Sequence, residues 1–408
     1  MGFLSDRSVF AQNAIEMEDP TAEELVKEGK KVVHLNRGDP TYYIPTPRYE
    51  IDAYIKALKD KKTYYSRAQG IIELTNAISK RYKLMYDLDF TEDKVLVTQG
   101  VSEALSIINS ALINNDDKGI LFSPYYPPYL PYLRLNGGSA IIEQYDEKND
   151  WNIHIENLKK SLLYFKKENK IERIKYLLIT NPNNPTGTVL KESILEEIVE
   201  IANEYNIMLI SDEIYDEIIF NNAKFTSLSK LAKGIPHIIL NGMSKSYNAT
   251  GFRIGYIIIP EEDKKSNELR KTLYNYTTLR VSSNTPAEYA AAEAIGNIKE
   301  HKKAIKSLVK TISERVNYTY KLLKRNKYLS IAEPKGAYYL FPRIDLDTLG
   351  FKSDIEFVDK LLKEKGIQVV WGSAFGAPNH IRIVALAPKP ILKYAVEKIN
   401  EFCDEHGG

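Results

Sequence analysis

The sequence predicts an α/β fold in which a large domain with a mostly parallel β-sheet precedes a smaller α+β domain. Short apolar segments alternate with longer amphipathic segments through the middle of the chain, whereas the last third is mostly helical in pattern. Alternating strands and helices favour a parallel sheet covered by helices on both faces. The unusual loops each follow a predicted strand, and ligands of such sheets bind at the carboxyl ends of strands.

Six predicted strands are short, rich in Ile, Val and Leu, and bounded by Gly, Pro or Asn: 94–100, 118–124, 175–182, 207–215, 237–242 and 253–259. Segments 102–113 and 191–206 carry apolar residues at helical spacing and are predicted helices. Residues 285–325 are helical in pattern almost throughout, and "GAYYLFPRI" and "HIRIVALA" are predicted strands of the smaller domain.

Composition excludes several classes of protein. The 408 residues include 56 Lys and Arg against 54 Asp and Glu, a net charge of +2 that gives no reason to expect nucleic acid or an anionic membrane as partner. No apolar run approaches the ~18 residues of a membrane helix, and we expect a cytoplasmic protein. Cys403 is the single cysteine, so no intramolecular disulfide and no cysteine-based metal site are predicted.

The loops after the first strands offer an anion site and an aromatic surface. "GVSEAL" opens a helix directly after a strand, and helix N-termini bind anions through their free amides. "SPYYPPY" holds Tyr125, Tyr126 and Tyr129 beside three prolines. A tyrosine in this loop can stack on a flat ligand or pack into the core, and the loop alone leaves both possibilities open.

The next loops contribute an amide and a carboxylate. "NPNNPTG" is a dense turn sequence after a buried strand, and it presents Asn184, whose amide both donates and accepts hydrogen bonds. "SDEIY" places Asp212 at the end of an apolar strand, where a carboxylate needs a cationic or hydrogen-bonding partner. Tyr215 follows three residues later and can face the same pocket, whereas Glu213 is expected to point elsewhere.

"NGMSKSYNATGFRIGY" supplies a lysine among small residues and an arginine eight residues later. A buried lysine with a lowered pKa attacks carbonyls, and Arg253 offers a planar fork for a phosphate. Lys245 and Arg253 therefore complete a set comprising a phosphate cradle, a stacking ring, a hydrogen-bond donor, a carboxylate and an imine-forming lysine. Pyridoxal phosphate requires these groups.

The order of these motifs resembles the class I and II aminotransferases, whose fold is that of the fold-type I pyridoxal phosphate enzymes. The resemblance covers the chain from about residue 30 onward and is greatest to alanine aminotransferases of archaea and bacteria. It rests on "LNRGDP", "YYSRAQG", "YYPPY", "NPNNPTG", "SDEIYD", "LRVSSNTPAEYAA" and "GAYYLFP". It implies a seven-stranded, mostly parallel sheet, with residues 1–46 as an arm and part of the small domain, 47–286 as the cofactor domain and 287–408 as the small domain.

The resemblance also implies roles around the cofactor ring. Lys245 would carry the cofactor as an imine and then move the proton of the substrate. Asp212 would keep the pyridine nitrogen protonated. Tyr215 and Asn184 would hydrogen-bond to the 3-oxygen of the ring, and Tyr126 would stack on its face.

At the phosphate, the resemblance implies contacts from five residues. Val101, Ser102, Ser244 and Arg253 would hold the phosphate within one chain. Tyr65 would reach in from a partner subunit, which implies a homodimer with shared active sites.

At the substrate end, Arg382 would bind the α-carboxylate, with help from Asn184 and the backbone of Gly38. Arg280 lies close to where relatives that use aspartate keep an arginine for a distal carboxylate, and an interface salt bridge is the alternative role. Gly242 departs from the serine of some relatives, so one expected phosphate contact is absent or replaced.

These assignments predict an amino acid:2-oxoglutarate aminotransferase with a ping-pong mechanism through pyridoxamine phosphate, and alanine as the favoured donor. An aspartate, aromatic or broad-specificity aminotransferase stays open, as does a carbon–sulfur β-lyase on the same scaffold. A transcription regulator with an aminotransferase-like domain would need a DNA-binding module before "LNRGDP", which begins at residue 35. A catalytically inactive homologue would not be expected to keep Lys245, Asp212 and Arg253.

Overall fold

The computed structural model describes residues 3–12 and 20–407. Residues 1, 2 and 13–19 of the predicted arm, and residue 408 of the predicted small domain, lie outside the described residues. The strands in the described ranges are β1 (Val33–His34), β2 (Val95–Thr98), β3 (Lys118–Ser123), β4 (Ser139–Asp146), β5 (Asn152–Ile153), β6 (Ile174–Thr180), β7 (Met208–Asp212), β8 (His237–Gly242), β9 (Gly255–Ile258), β10 (Leu329–Ser330), β11 (Tyr339–Leu340), β12 (Arg343–Ile344), β13 (Ile367–Gln368), β14 (Val370–Trp371) and β15 (Ile381–Val384).

Helices cover both faces of the main sheet and make up most of the last third of the chain. The α-helices are α1 (Pro20–Lys27), α2 (Arg48–Lys59), α3 (Ile72–Tyr86), α4 (Gly100–Leu112), α5 (Tyr129–Leu135), α6 (Ile155–Lys167), α7 (Glu192–Tyr205), α8 (Leu228–Leu231), α9 (Lys264–Leu279), α10 (Thr285–Gly296), α11 (Ile298–Leu323), α12 (Leu346–Leu349), α13 (Asp354–Lys365) and α14 (Lys389–His406). No helix of residues 3–12 and 20–407 is long and apolar enough to cross a membrane.

The large sheet has the order β2-β9-β8-β7-β6-β3-β4-β5. The pairs from β8 through β4 are parallel, whereas β9 runs antiparallel to both of its neighbours. The predicted α/β fold class with a mostly parallel sheet is confirmed. The eighth strand beyond the predicted seven is β5, a two-residue segment antiparallel to the end of β4.

The six predicted sheet strands all exist; the strand at 237–242 has the predicted bounds, and the structure shortens the other five. The prediction for 207–215 ran three residues past the end of β7, because the apolar pattern continues into a buried turn. β4 had no predicted counterpart. Its first three side chains are partly buried and those of residues 142–145 alternate between exposed and buried, so it lacks the continuous apolar run by which the other strands were recognised.

Close backbone approach explains the glycine at 242. β8 and β9 pair through Gly242 and Gly255, and a Cβ on Gly242 would lie 2.6 Å from the carbonyl oxygen of Ile254. A serine there would force the two strands apart. The departure from relatives that carry serine therefore follows from strand packing at this point.

The segment after the arm joins the C-terminal unit rather than the large sheet. β1 pairs in parallel with β13, and Leu35 belongs to the same core as α11, α13 and α14. α10 instead packs on α2 and α3 of the large unit. The predicted division at 286 and 287 stays a prediction, and the packing of α10 favours a boundary just after it.

Candidate active site

A cavity of about 330 Å³ opens at the carboxyl ends of the parallel strands. It lies between loops of the large sheet, residues 36–39 after β1, and residues of β11 and β15. Of the predicted site residues, eleven line it: Gly38, Val101, Ser102, Tyr126, Asn184, Asp212, Tyr215, Ser244, Lys245, Arg253 and Arg382. The structure thus brings together residues separated by more than three hundred positions in the chain.

Lys245 stands in the loop after β8, with its amine facing the cavity. Its Nζ donates to the carbonyl oxygen of Gly38 at 2.7 Å, and the rings of Tyr215 and Tyr338 lie 5.9 and 5.8 Å away. Burial lowers the pKa of the amine to about 8. A larger fraction of this lysine is therefore neutral near pH 7 than of an ordinary lysine, and the neutral amine is the nucleophile.

Asp212 is the last residue of β7 and is 4% exposed. Its Oδ2 accepts a hydrogen bond from the hydroxyl of Tyr129 at 2.7 Å, and its Oδ1 accepts from the backbone N–H of Ile214 at 3.2 Å. Burial raises the pKa of the carboxyl to about 6. No basic side chain in residues 3–12 and 20–407 forms an ion pair with it, so this buried carboxylate fits a cationic N–H supplied by a ligand.

The opposite end of the cavity is an anion cradle at the start of α4. Gly100 has a positive φ of +74°, and a Cβ there would lie 2.4 Å from Nη2 of Arg253. Arg253 itself has φ +56°, an uncommon conformation for a residue with a side chain. The strained Arg253 supplies positive charge at this point, and the first turn of α4 supplies the free backbone amides of Val101 and Ser102. Phosphate binding requires both.

Tyrosines form the walls between these two ends. The hydroxyls of Tyr215 and Tyr339 are 2.7 Å apart, and Tyr126 packs edge-on against Tyr129 at 5.4 Å between ring centroids. Burial holds the pKa of Tyr215 well above its ordinary value, so its hydroxyl stays protonated and can donate. The walls therefore offer flat apolar faces together with a few fixed donors.

Arg382, on β15, is 2% exposed, yet it lines the cavity. Nη1 donates to Oδ1 of Asn184 at 3.2 Å, and Nη2 donates to the carbonyl oxygen of Asn36 at 2.7 Å. The rings of Tyr339 and Phe375 each lie 4.9 Å from its guanidinium carbon. Its partners are neutral, and within the described part of the chain no carboxylate pairs with it, so the charge is available for an anionic ligand.

Tyr65 and Arg280 do not line the cavity. Tyr65 is 82% exposed on the surface of the chain. Arg280 donates to Oε2 of Glu103 at 2.6 Å and to the carbonyl oxygens of Val97 and Ala68 at 2.7 and 3.0 Å. The contact of Arg280 with a distal carboxylate stays a prediction, and the engagement of both terminal nitrogens weighs against it.

Sequence reasoning missed several lining residues. Tyr129, which holds Asp212, was seen only as one of three aromatic residues in "SPYYPPY". Asp39 accepts from the hydroxyls of Thr41 and Thr250 at 2.7 and 3.1 Å, and it follows Gly38 directly in "RGDP". The sequence held a signal for two further lining residues. Arg37 directly precedes Gly38, and Tyr339 lies within the motif "GAYYLFP".

The chemistry of the lining fits an organic cofactor better than a metal. No group of three or more His, Cys, Asp or Glu in the residues that the structure describes is placed to hold a metal ion. The lining combines an anion cradle, aromatic walls, an unpaired buried carboxylate and a lysine with a lowered pKa. This combination can hold a flat, phosphate-bearing carbonyl compound with a basic ring nitrogen.

Comparison with known proteins gives consistent results. Residues 30–399 match the family described as aminotransferase class I and II. The chain is 33% identical to an aspartate aminotransferase of Thermotoga maritima over 94% of each sequence. It is 30% identical to a glutamate-pyruvate aminotransferase of Escherichia coli over 93% of this chain and 92% of that one. An alanine aminotransferase structure from Pyrococcus furiosus superposes with a TM-score of 0.92 at 36% identity, covering 98% of this chain and 100% of that chain.

Proposed function

The chain belongs to the class I and II aminotransferases, and from that premise we propose that it moves the amino group of an amino acid to 2-oxoglutarate with pyridoxal phosphate as cofactor. The observation that carries this proposal is the pairing of Lys245 and Asp212 in one cavity. One is an amine with a lowered pKa and the other is a buried carboxylate that lacks a cation in the described residues.

In this proposal, each part of the cofactor would be held by different lining residues. Arg253, Ser244 and the first turn of α4 would hold the phosphate, and Asp212 would hold the ring nitrogen in its protonated form. Tyr126 would face the ring, while Tyr215 and Asn184 would bind its 3-oxygen. When bound, pyridoxal phosphate supplies an aldehyde for an amine and a ring that withdraws electrons from the substrate α-carbon.

Lys245 has two tasks in this proposal. Its neutral amine would hold the aldehyde of the cofactor when no substrate is present, and once the amino group of the substrate has taken that place it would carry a proton to and from the substrate. The carbonyl oxygen of Gly38 accepts from its Nζ and so holds the amine at the cavity wall. An amine with a pKa near 8 exchanges protons at neutral pH more readily than an ordinary lysine does.

Arg382 would bind the α-carboxylate that donor and acceptor share. It lies beside Asn184, which lets the substrate carboxylate and the cofactor share one polar wall. Because each acid enters and leaves the same site in turn, the reaction would follow a ping-pong course. Alanine is our proposed donor, because the Pyrococcus furiosus structure is named an alanine aminotransferase; aspartate is the second candidate, because the Thermotoga maritima relative is named an aspartate aminotransferase.

Lysine replacement tests the proposal directly. We expect the purified protein to be yellow and borohydride reduction to leave the cofactor on the peptide that contains Lys245. Lys245→Ala should keep bound cofactor but lose turnover by about three or more orders of magnitude, because nucleophile and proton carrier are removed together.

Lys224→Ala is the matched control, since the Lys224 side chain is 82% exposed. Donors would be screened with 2-oxoglutarate by following the visible absorbance of the cofactor. Turnover near the wild-type value in Lys245→Ala, or label on another lysine, would contradict the assignment.

A further inference from the structure

The cavity lining holds four basic side chains, and the proposed function uses three of them. Lys245 faces the carbonyl oxygen of Gly38, Arg253 borders the anion cradle at Gly100, and Arg382 lies at the substrate end. The fourth is Arg37, which lines the same cavity. A second anionic group on the substrate would give this fourth cation a function.

The backbone fixes Arg37 between the two substrate-binding cations. The carbonyl oxygen of Asn36 accepts from Arg382, and that of Gly38 accepts from Lys245. Residue 37 is therefore tied on one side to the arginine proposed for the α-carboxylate and on the other to the lysine proposed for proton transfer. A side chain at this position is next to the substrate rather than next to the phosphate.

The charge of Arg37 is not balanced by a carboxylate. Its Nε is buried without a hydrogen-bond partner, and no acidic side chain in residues 3–12 and 20–407 forms an ion pair with its guanidinium group. The ring of Tyr42 lies 6.0 Å from the guanidinium carbon, at the outer limit of a cation–π contact. Such a contact orients the group without neutralising it, so its donors stay available to an anion.

The nearby carboxylates are occupied in other ways. Asp212 points at the ring-nitrogen end and is held by Tyr129. Oδ1 of Asp39 accepts from the backbone N–H and hydroxyl of Thr41, at 2.9 and 2.7 Å. Neither acid forms an ion pair with Arg37 among the described residues, so a partly desolvated cation is left at the substrate end.

Resting on the proposed function, we propose that Arg37 binds the distal carboxylate of dicarboxylic substrates. The substrate class is then the amino dicarboxylic acids and their 2-oxo acids, with the α-carboxylate on Arg382 and the second carboxylate on Arg37. A monocarboxylic partner such as alanine uses Arg382 alone. This assignment gives Arg37, within the same chain, the role that the sequence had suggested for Arg280.

The test compares Arg37→Gln with Arg37→Lys, and Arg325→Gln is the matched control at an exposed arginine outside the cavity lining. Two ratios are measured in the holoenzyme. One is kcat/KM for 2-oxoglutarate over that for pyruvate. The other is the dissociation constant of butyrate over that of glutarate, obtained by calorimetry; both acids are unreactive, and glutarate is butyrate with a second carboxylate in place of one terminal hydrogen.

Both ratios should fall ten- to a hundredfold in Arg37→Gln, equivalent to about 1.4–2.7 kcal/mol. Arg37→Lys should lie between, because it keeps the charge but not the planar fork. Measuring the dissociation constant of succinate as well as that of glutarate shows whether Arg37 favours the four- or the five-carbon diacid. Weaker binding of either diacid in Arg37→Gln supports the assignment. Equal losses for one and two carboxylates, or unaltered ratios, would overturn it.

The two proposals fail separately. If the protein shows no transamination but prefers glutarate over butyrate through Arg37, the inference stands and the proposed function falls. If it transaminates and Arg280→Gln, rather than Arg37→Gln, lowers the ratios, the proposed function stands and the inference is overturned.

Discussion

Arg382 and Arg280 lie in two regions of the molecule to which the sequence analysis gave similar roles. Both were predicted to bind a carboxylate of the substrate, and both are largely buried. Arg382 meets an amide oxygen, a carbonyl oxygen and two aromatic rings, all of them neutral. Arg280 meets Glu103 at 2.6 Å and two carbonyl oxygens.

Charge compensation, rather than burial, separates the two regions. A buried cation without a counter-ion is costly, and an anionic ligand removes that cost. Arg382 is in that condition, whereas Glu103 already neutralises Arg280. Oε2 of Glu103 also accepts from the backbone N–H of Gln99 at 2.6 Å, so the ion pair with Arg280 supports the turn that precedes the anion cradle.

Of the variants that compare these two regions, Arg382→Lys has the largest expected effect. A lysine cannot form the two parallel hydrogen bonds of a guanidinium group with a carboxylate. We expect kcat/KM to fall a hundred- to a thousandfold for alanine and for 2-oxoglutarate alike, about 2.7–4.1 kcal/mol. Steady-state kinetics with both substrates measure this, and a loss confined to the dicarboxylic acid would contradict the α-carboxylate assignment.

Arg280→Met should mainly reduce stability. It leaves Glu103 and two carbonyl groups without their partner, and we expect the free energy of unfolding to fall by about 2–3 kcal/mol. The ratio of 2-oxoglutarate to pyruvate kcat/KM should stay within about threefold of wild type, because no substrate contact is lost. Urea denaturation and steady-state kinetics provide the two measurements.

Arg48→Met is the matched control for that loss. Arg48 pairs with Asp52 at 2.8 Å, but their side chains are 79% and 53% exposed, and exposed pairs contribute about 0–1 kcal/mol. A double variant with Glu103→Gln should lose less than the sum of the single losses. If the Arg280→Met protein is as stable as wild type but has lost activity toward dicarboxylic acids, Arg280 contacts the distal carboxylate of the substrate after all.

The last variant, Tyr65→Phe, bears on assembly. Ala68, whose carbonyl oxygen binds Arg280, follows Tyr65 in the same loop, and we propose that this exposed tyrosine donates to the cofactor phosphate of a partner subunit. Loss of one hydrogen bond to a charged group costs about 1.5–3 kcal/mol, so cofactor affinity should fall roughly ten- to a hundredfold. Equilibrium dialysis measures it.

Sedimentation should find a two-fold dimer at assay concentrations, since each site would then need two chains. A monomer with full activity would refute the shared site. Wild-type cofactor affinity in Tyr65→Phe would show that the tyrosine hydroxyl does not bind the phosphate.

Local sequence determined the strand-and-helix pattern, the fold class and the loops that carry Lys245, Asp212, Asn184 and Arg253, because apolar periodicity and turn residues act over a few positions. Arg382 and Gly38 were reached only through resemblance to a family, since Arg382 stands on a short strand and Gly38 on a loop far from it in the chain. Tertiary structure alone decided that Glu103 neutralises Arg280 while Arg37 has no described carboxylate partner. The state of a buried charge depends on which distant groups fold against it, and periodicity does not encode that choice.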